Sequence, residues 1–181
     1  MFSGQLPYTL SWPGLLKQKR KSELLKTEKL LLEILMKKGF SLSTAESCTG
    51  GLISARITSL PGSSKFFRGS VIAYDNMVKQ KLLSVSPETL QASGAVSGEV
   101  VEQMATGVST LMETDCSVSV SGIAGPGGGT QSKPVGLVYI GSFVCDSVIS
   151  RKYLFNGNRE DIRVGATEAA LNQLINQISE L

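Results

Sequence analysis

The chain holds 181 residues, 41% of them hydrophobic, which suits one domain with a single core. Its net charge of +3 is small and its basic residues are dispersed, which argues against nucleic acid as a partner. It contains no histidine, and this excludes from its own residues the Ser-His-Asp triad, the Cys-His pair, histidine metal sites and imidazole acid–base chemistry.

Catalysis, if any, therefore has to use Lys, Tyr, Asp, Glu, Ser, Thr or Cys. Cys48, Cys116 and Cys145 lack the paired spacing of a disulfide framework or a zinc motif. No run is long and apolar enough to cross a bilayer, and Met1–Trp12 has neither the charged start nor the apolar centre of a signal peptide. The expectation is a cytoplasmic protein with no cofactor and no membrane partner.

Residues 1–21 read as an N-terminal extension, punctuated by Pro7, Pro13 and Gly14 and ending in the basic run Lys17-Gln-Lys-Arg-Lys21. That run suits a solvated approach to a helix, with an acidic partner as the alternative. Leu10, Trp12 and Leu15 could rest on the body or on a second subunit, so a homo-oligomer such as a dimer is admitted. Residues 22–181 read as the domain itself.

Ser22 opens a helix whose Leu24, Leu25, Leu31, Leu32 and Leu35 repeat at helical spacing, with Lys37-Lys38-Gly39 as a cationic last turn and cap. Phe40–Ala45 reads as a buried strand, followed by Glu46-Ser-Cys-Thr-Gly-Gly51 and a helix to about Ser59. Gly69–Tyr74 is a second strand and Met77–Leu83 a short helix. Ser86-Pro87 starts another helix, with Ser at the cap and Pro in the first turn. Ser97 opens a longer helix with the stripe Val100, Val101, Met104, Ala105, Val108, Leu111 and Met112. Cys116–Ser121 is a buried strand, Gly122–Lys133 a loop with five glycines, and Pro134–Val144 and Ser147–Phe155 a hairpin turned at Cys145-Asp146. Asn156-Gly-Asn158 caps a last helix, with Ile162, Ala166, Ala169, Ala170, Leu174, Ile175 and Ile178 facing inward. Alternating helices and strands with a late hairpin predict a three-layer α/β/α domain on a mixed sheet.

Three loops follow strand ends, at 46–51, 74–79 and 122–133. If their strands run parallel and adjacent, these loops converge on one sheet edge, where open α/β domains bind ligands. The first places the Ser47 hydroxyl at a strand–helix elbow, with helix-start N–H groups nearby; a polar cap followed by turn glycines reads equally from these residues. Lys79 falls about one turn into the next helix. Burial would lower its pKa enough to activate a hydroxyl, whereas at the surface it would be an ordinary lysine. Tyr74 suits a proton shuttle or a satisfied core phenol. Cys48 reads as a small buried residue, with a nucleophile at the helix start as the alternative, and Glu46 and Asp75 read as orienting residues or oxygen ligands. The glycine loop lacks the Gly-Lys-Ser/Thr of a P-loop and leads into a strand, unlike a dinucleotide fingerprint. It still suits a concave N–H nest for phosphate or carboxylate, or a long flexible turn.

Six ordered motifs carry a resemblance: Thr44-Ala-Glu-Ser-Cys-Thr-Gly-Gly51, Pro61-Gly-Ser-Ser64, Tyr74-Asp-Asn-Met-Val-Lys79, Gly94-Ala-Val-Ser97, Ser121-Gly-Ile-Ala-Gly-Pro126 and Lys133-Pro-Val-Gly136. Over about residues 22–180 the chain resembles the CinA carboxy-terminal domain family, which includes stand-alone nicotinamide mononucleotide deamidases. Some members carry a further amino-terminal domain, and the length here is similar to the stand-alone form. The resemblance implies a metal-free Ser–Lys amidohydrolase acting on a small nucleotide. Ser47 would be the nucleophile and Lys79 its base, while Tyr74 would assist proton transfer or hold the dyad's hydrogen bonds. Backbone N–H groups around Thr49, Gly50 and Gly51 would stabilise the oxyanion. Asn76, Ser121, Gly122, Gly125 and the rest of the glycine loop would face the nucleotide, and Arg163 would pair with its phosphate, with a solvent-facing helix arginine as the alternative. Gly127-Gly-Gly129 departs from the family pattern, where an acidic residue is expected. Two other functions fit the same residues: a non-catalytic nucleotide- or phosphate-binding accessory protein in competence or stress, and a Ser–Lys hydrolase of another amide.

Overall fold

The computed structural model describes the backbone of residues 18–181 and the side chains from residue 26 onward. Leu10, Trp12 and Leu15, and the side chains of Leu24 and Leu25, lie outside the described residues.

The first helix, α1 (Gln18–Lys38), already includes part of the segment assigned to the extension. It stops at Gly39, whose φ of 69° lets the chain reverse while the Phe40 N–H donates to the Leu35 carbonyl at 3.0 Å. That closure uses Phe40, so β1 runs over Leu42–Glu46 rather than from residue 40. Then come α2 (Leu52–Thr58), a short 3₁₀ turn (Ser63–Lys65), β2 (Phe67–Ile72), α3 (Asn76–Leu83), α4 (Pro87–Ser93) and α5 (Gly98–Met112). The chain ends with β3 (Cys116–Gly122), β4 (Leu137–Val144), β5 (Ser147–Leu154) and α6 (Arg159–Ser179). β4 begins three residues later than its sequence pattern, because Pro134 has no N–H and Gly136 turns at φ 94°. Asp75, Ser86, Ser97 and Asn158 cap the helices that follow them with their side chains, and Pro87 sits in the first turn of α4.

The five strands lie in the order β2-β1-β3-β4-β5. β1 pairs parallel with β2 and β3, and β4 pairs antiparallel with β3 and β5. Helices cover both faces, as predicted. One core holds Leu31, Leu35, Leu42, Ile53, Val118, Ile140, Leu171 and Leu174 between the sheet and α1, α2 and α6. The other holds Ala45, Val71, Leu83, Val100, Met104 and Val108 on the side of α3 and α5. Leu111 departs from the predicted stripe: it is half exposed on the outer side of α5.

β3 alternates Cys116, Val118 and Val120 with Ser117, Ser119 and Ser121. The apolar set packs in the first core, and the three serine hydroxyls donate to carbonyls of Ala105, Val101 and Ala95 on the opposite face. Ser117 and Ser119 thereby spend their hydrogen bonds on the α5 backbone, which lets that helix sit close to the sheet. Gly107 has the same role toward α3, since a Cβ there would lie 1.9 Å from the Leu83 carbonyl oxygen. The end of the lysine-bearing helix is thereby pinned against α5.

Candidate active site

Because β1, β2 and β3 run parallel, their carboxyl ends, Glu46, Ile72 and Gly122, meet at one edge of the sheet. The ladder extends slightly beyond them, with the Ser47 N–H donating to the Val120 carbonyl at 3.0 Å and the Ala73 N–H to Glu46 at 2.8 Å. The three predicted loops do converge there, around a cleft of about 230 Å³.

Period-two alternation along β1 sends Ala45 and Ser47 toward α3, and Glu46 and Cys48 toward α2. Lys79 comes up from α3 and is only 1% exposed. Its Nζ lies 3.3 Å from Ser47 Oγ, and it donates to the carbonyls of Ala73 at 2.8 Å and Tyr74 at 3.5 Å. The groups holding the amine are thus neutral oxygens. Burial lowers the Lys79 pKa from the ordinary lysine range, and the opposing pull of Asp75 and Cys48 does not cancel it.

Of the other predicted residues, Asn76, Ser121 and Gly122 line the cleft with Ser47, Lys79 and Tyr74. The Tyr74 phenol is displaced from its expected place in the dyad. It is 64% exposed at the rim, where its hydroxyl accepts from Arg159 Nη2 at 3.1 Å, and only its backbone carbonyl touches Lys79. Ser121 lines the cleft but its hydroxyl is engaged with Ala95.

Thr49, Gly50, Gly51, Gly125 and Arg163 are not among the residues lining the cleft. The Gly50 N–H donates to the Ser47 carbonyl at 3.1 Å and the Gly51 N–H to Glu46 Oε2 at 2.9 Å, so neither amide is a vacant oxyanion donor. Arg163 Nη2 donates to the Thr49 carbonyl at 2.6 Å and so steadies the elbow from behind. Gly125 receives Arg159 Nη1 on its carbonyl at 2.7 Å.

Arg159 is the residue that sequence reasoning missed. It stands one helical turn before Arg163 on the same side of α6, and that spacing is the signal that could have found it. Lys133 has a second unforeseen role: its Nζ donates to the carbonyls of Ser93 at 2.7 Å and Val96 at 2.8 Å, fixing the turn that forms one wall of the cleft. Cys48 also lines the cleft, but burial pushes its thiol up to about 11, so it stays protonated and inert at neutral pH. Among the described residues no cluster of acidic or sulfur side chains could hold a metal ion. Nor is any described helix long and apolar enough to cross a membrane.

The cleft is lined by two cations, Lys79 and Arg159, and by no carboxylate. Fold and site together define an α/β/α domain with a buried serine–lysine pair at the carboxyl edge of its sheet. Comparison with known proteins narrows this further, since the model of the CinA C-terminal domain family matches residues 24–178. The chain belongs to that family. A CinA-like protein of Dictyoglomus thermophilum is 48% identical over 147 residues, covering 81% of this chain and 36% of the relative. One of Thermosipho melanesiensis is 51% identical over 146 residues, covering 78% of the chain and 36% of the relative. The chain thus spans about a third of the length of these curated relatives. Among solved structures, a competence/damage inducible protein from Agrobacterium tumefaciens superposes with a TM-score of 0.79 at 38% identity, covering 83% of this chain and 94% of that one. A CinA superfamily protein from Enterobacter cloacae gives 0.83 at 30% identity, covering 86% and 92%.

Proposed function

We propose that the domain is an amidohydrolase that converts the carboxamide of nicotinamide mononucleotide to the acid and ammonia, with Ser47 as nucleophile and Lys79 as its general base. The observation that carries this reading is the buried amine within reach of the serine hydroxyl, bonded to neutral oxygens and in no salt bridge among the described residues. A neutral amine has two hydrogens and one lone pair. The Ala73 and Tyr74 carbonyls take the hydrogens, which leaves the lone pair for the Ser47 hydroxyl.

Ser47 Oγ adds to the carboxamide carbon as its proton passes to Lys79 Nζ. The resulting ammonium returns that proton to the departing nitrogen, so ammonia leaves and an ester on Ser47 remains. Water, deprotonated by the same amine, hydrolyses the ester and restores the hydroxyl. The oxyanion donor in this reading is the amide of Cys48, which lines the cleft and has no backbone carbonyl partner among the described residues. Arg159 favours an anionic substrate, and its place at the rim suits the phosphate.

The decisive experiment is ammonia release from nicotinamide mononucleotide, nicotinamide riboside and free nicotinamide in the presence of a chelator. Turnover confined to the mononucleotide and lost in Ser47→Ala and Lys79→Ala supports the assignment. Saturable binding without ammonia would replace it with a nucleotide-binding role. Preference for an amide lacking the ribose phosphate would change the substrate.

A further inference from the structure

The mechanism leaves aside one buried ionisable group at this edge, the carboxylate of Glu46. It has no accessible surface, and its Oε2 accepts the N–H groups of Gly51 at 2.9 Å and Ile53 at 3.1 Å. Its Oε1 accepts the Ser54 N–H at 2.9 Å and the Ser54 hydroxyl at 2.6 Å. The N–H groups are donors that the first turn of a helix ordinarily leaves for a side chain, water or ligand. Among the described residues no salt bridge reaches Glu46, and the hydrogen bonds to its carboxylate all come from the start of α2.

Glu46 is also the residue immediately before Ser47, and the two side chains leave β1 on opposite faces. One strand end therefore fastens to α2 through Glu46 and presents its hydroxyl to α3 through Ser47. Between these anchors the 47–51 turn is closed by the Gly50 N–H on the Ser47 carbonyl and the Leu52 N–H on the Thr49 carbonyl, and it passes through positive φ at Gly50 (59°) and Gly51 (94°). Arg163 holds the middle of the turn at the Thr49 carbonyl, and the Glu46 carboxylate holds its outer end at the Gly51 N–H.

We propose that Glu46 is a positioning residue, the resident anion of the α2 start, which holds the 47–51 turn so that Ser47 Oγ stays within reach of Lys79 Nζ. The proposal rests on reading Ser47 as the nucleophile. It implies that the space vacated by removing the side chain is shaped and polarised for a small carboxylate.

The test uses the full chain carrying Glu46→Gln, Glu46→Ala or Ser54→Ala. Glutamine puts one oxygen and one NH₂ where two oxygens meet four donors, so part of the network becomes donor against donor. For Glu46→Gln we expect kcat to fall about 100-fold with KM changed by less than about threefold, the pattern of a displaced reacting group rather than lost binding. Ser54→Ala removes one of the four bonds and costs only a few-fold. In Glu46→Ala, sodium formate raises both kcat, by about tenfold or more, and the thermal midpoint, whereas sodium chloride at equal ionic strength does neither.

Wild-type kcat in Glu46→Gln, a loss seen in KM alone, or equal effects of formate and chloride would each overturn the proposal. Should Glu46→Ala not fold, Glu46→Gln and Ser54→Ala decide by kcat. If the wild-type chain itself releases no ammonia, the functional reading fails separately. A crystal structure of Glu46→Gln then decides this one: Ser47 Oγ beyond hydrogen-bond reach of Lys79 Nζ supports it, and an unchanged pair overturns it.

Discussion

Arg56 on α2 and Lys79 on α3 bring long cationic side chains into the domain from opposite sides of the sheet, and their surroundings differ in kind. Arg56 Nε donates to Glu28 on α1 and its Nη2 pairs with Glu168 on α6 at 2.7 Å, so three helices share one ionic knot. Burial works against its charge, but the bonds to Glu28 and Glu168 outweigh it and raise the Arg56 pKa. Glu168 answers in the other direction, because bonds from Thr27 and Arg56 overcome its own burial and lower its pKa. Lys79 meets carbonyls and a hydroxyl instead, and its pKa falls. A buried cation paired with carboxylates is a structural tie, whereas one surrounded by neutral oxygens is held ready to give up its proton.

The largest effect should come from removing the reactive amine. Lys79→Met is expected to lower kcat by about 10³-fold or more without loss of fold, since a methionine fills a similar volume and relieves a buried charge. Steady-state ammonia release, with the thermal midpoint measured alongside, checks both halves. Arg56→Met should do the reverse, costing about 3 kcal/mol of stability because Glu28 is left buried without its partner. Its kcat per folded molecule should stay at the wild-type level, as urea unfolding and active-site titration would show. A kcat loss as deep as that of Lys79→Met would erase the distinction between the two cations.

The contrast can be narrowed by giving Lys79 a carboxylate. Cys48→Asp places one beside the cleft, which should raise the Lys79 pKa and lower neutral-pH turnover by about tenfold. Cys48→Ala, which removes a thiol that is protonated anyway, should leave turnover within about threefold. In the wild type the rising limb of kcat/KM against pH should lie below the ordinary lysine range.

The sign of the accompanying stability change follows from the same shift. The folded-state pKa is lowered, so between it and the unfolded lysine value of about 10.4 unfolding takes up a proton. Wild-type stability should therefore rise relative to Lys79→Met as pH increases through that window and fall back as pH drops. Urea unfolding of the two proteins from pH 7 to about 10 tests this smallest effect. A difference independent of pH would mean that Lys79 titrates as a free lysine.

Much of the frame was legible along the chain. Apolar spacing in α5 and α6, the Ser-Pro and Asn-Gly-Asn caps, and the period-two alternation of β3 are local signals, and each produced its element within a few residues. The elbow and Lys79 were legible as candidates because the absence of histidine left few ways to activate a hydroxyl. Errors gathered where backbone hydrogen bonds had to be assigned. Gly50 and Gly51 looked like free donors, yet the Glu46 side chain and the Ser47 carbonyl occupy them. Arg163 and Arg159 stand one turn apart on α6, and nothing local says which reaches the cleft and which supports Thr49. Tyr74 sits beside the dyad in sequence, but a solvent-facing rotamer takes its phenol to Arg159.

By itself, then, the sequence determined the order of elements, the mixed sheet and the short set of groups able to do chemistry, because periodicity, capping and composition act over a few residues at a time. Only the tertiary structure decided which amine is stripped of water and faces Ser47. Desolvation and hydrogen-bond direction depend on residues distant in the chain, and the packing of α3 against α5 at Gly107 and the parallel register of β1 with β3 bring them together.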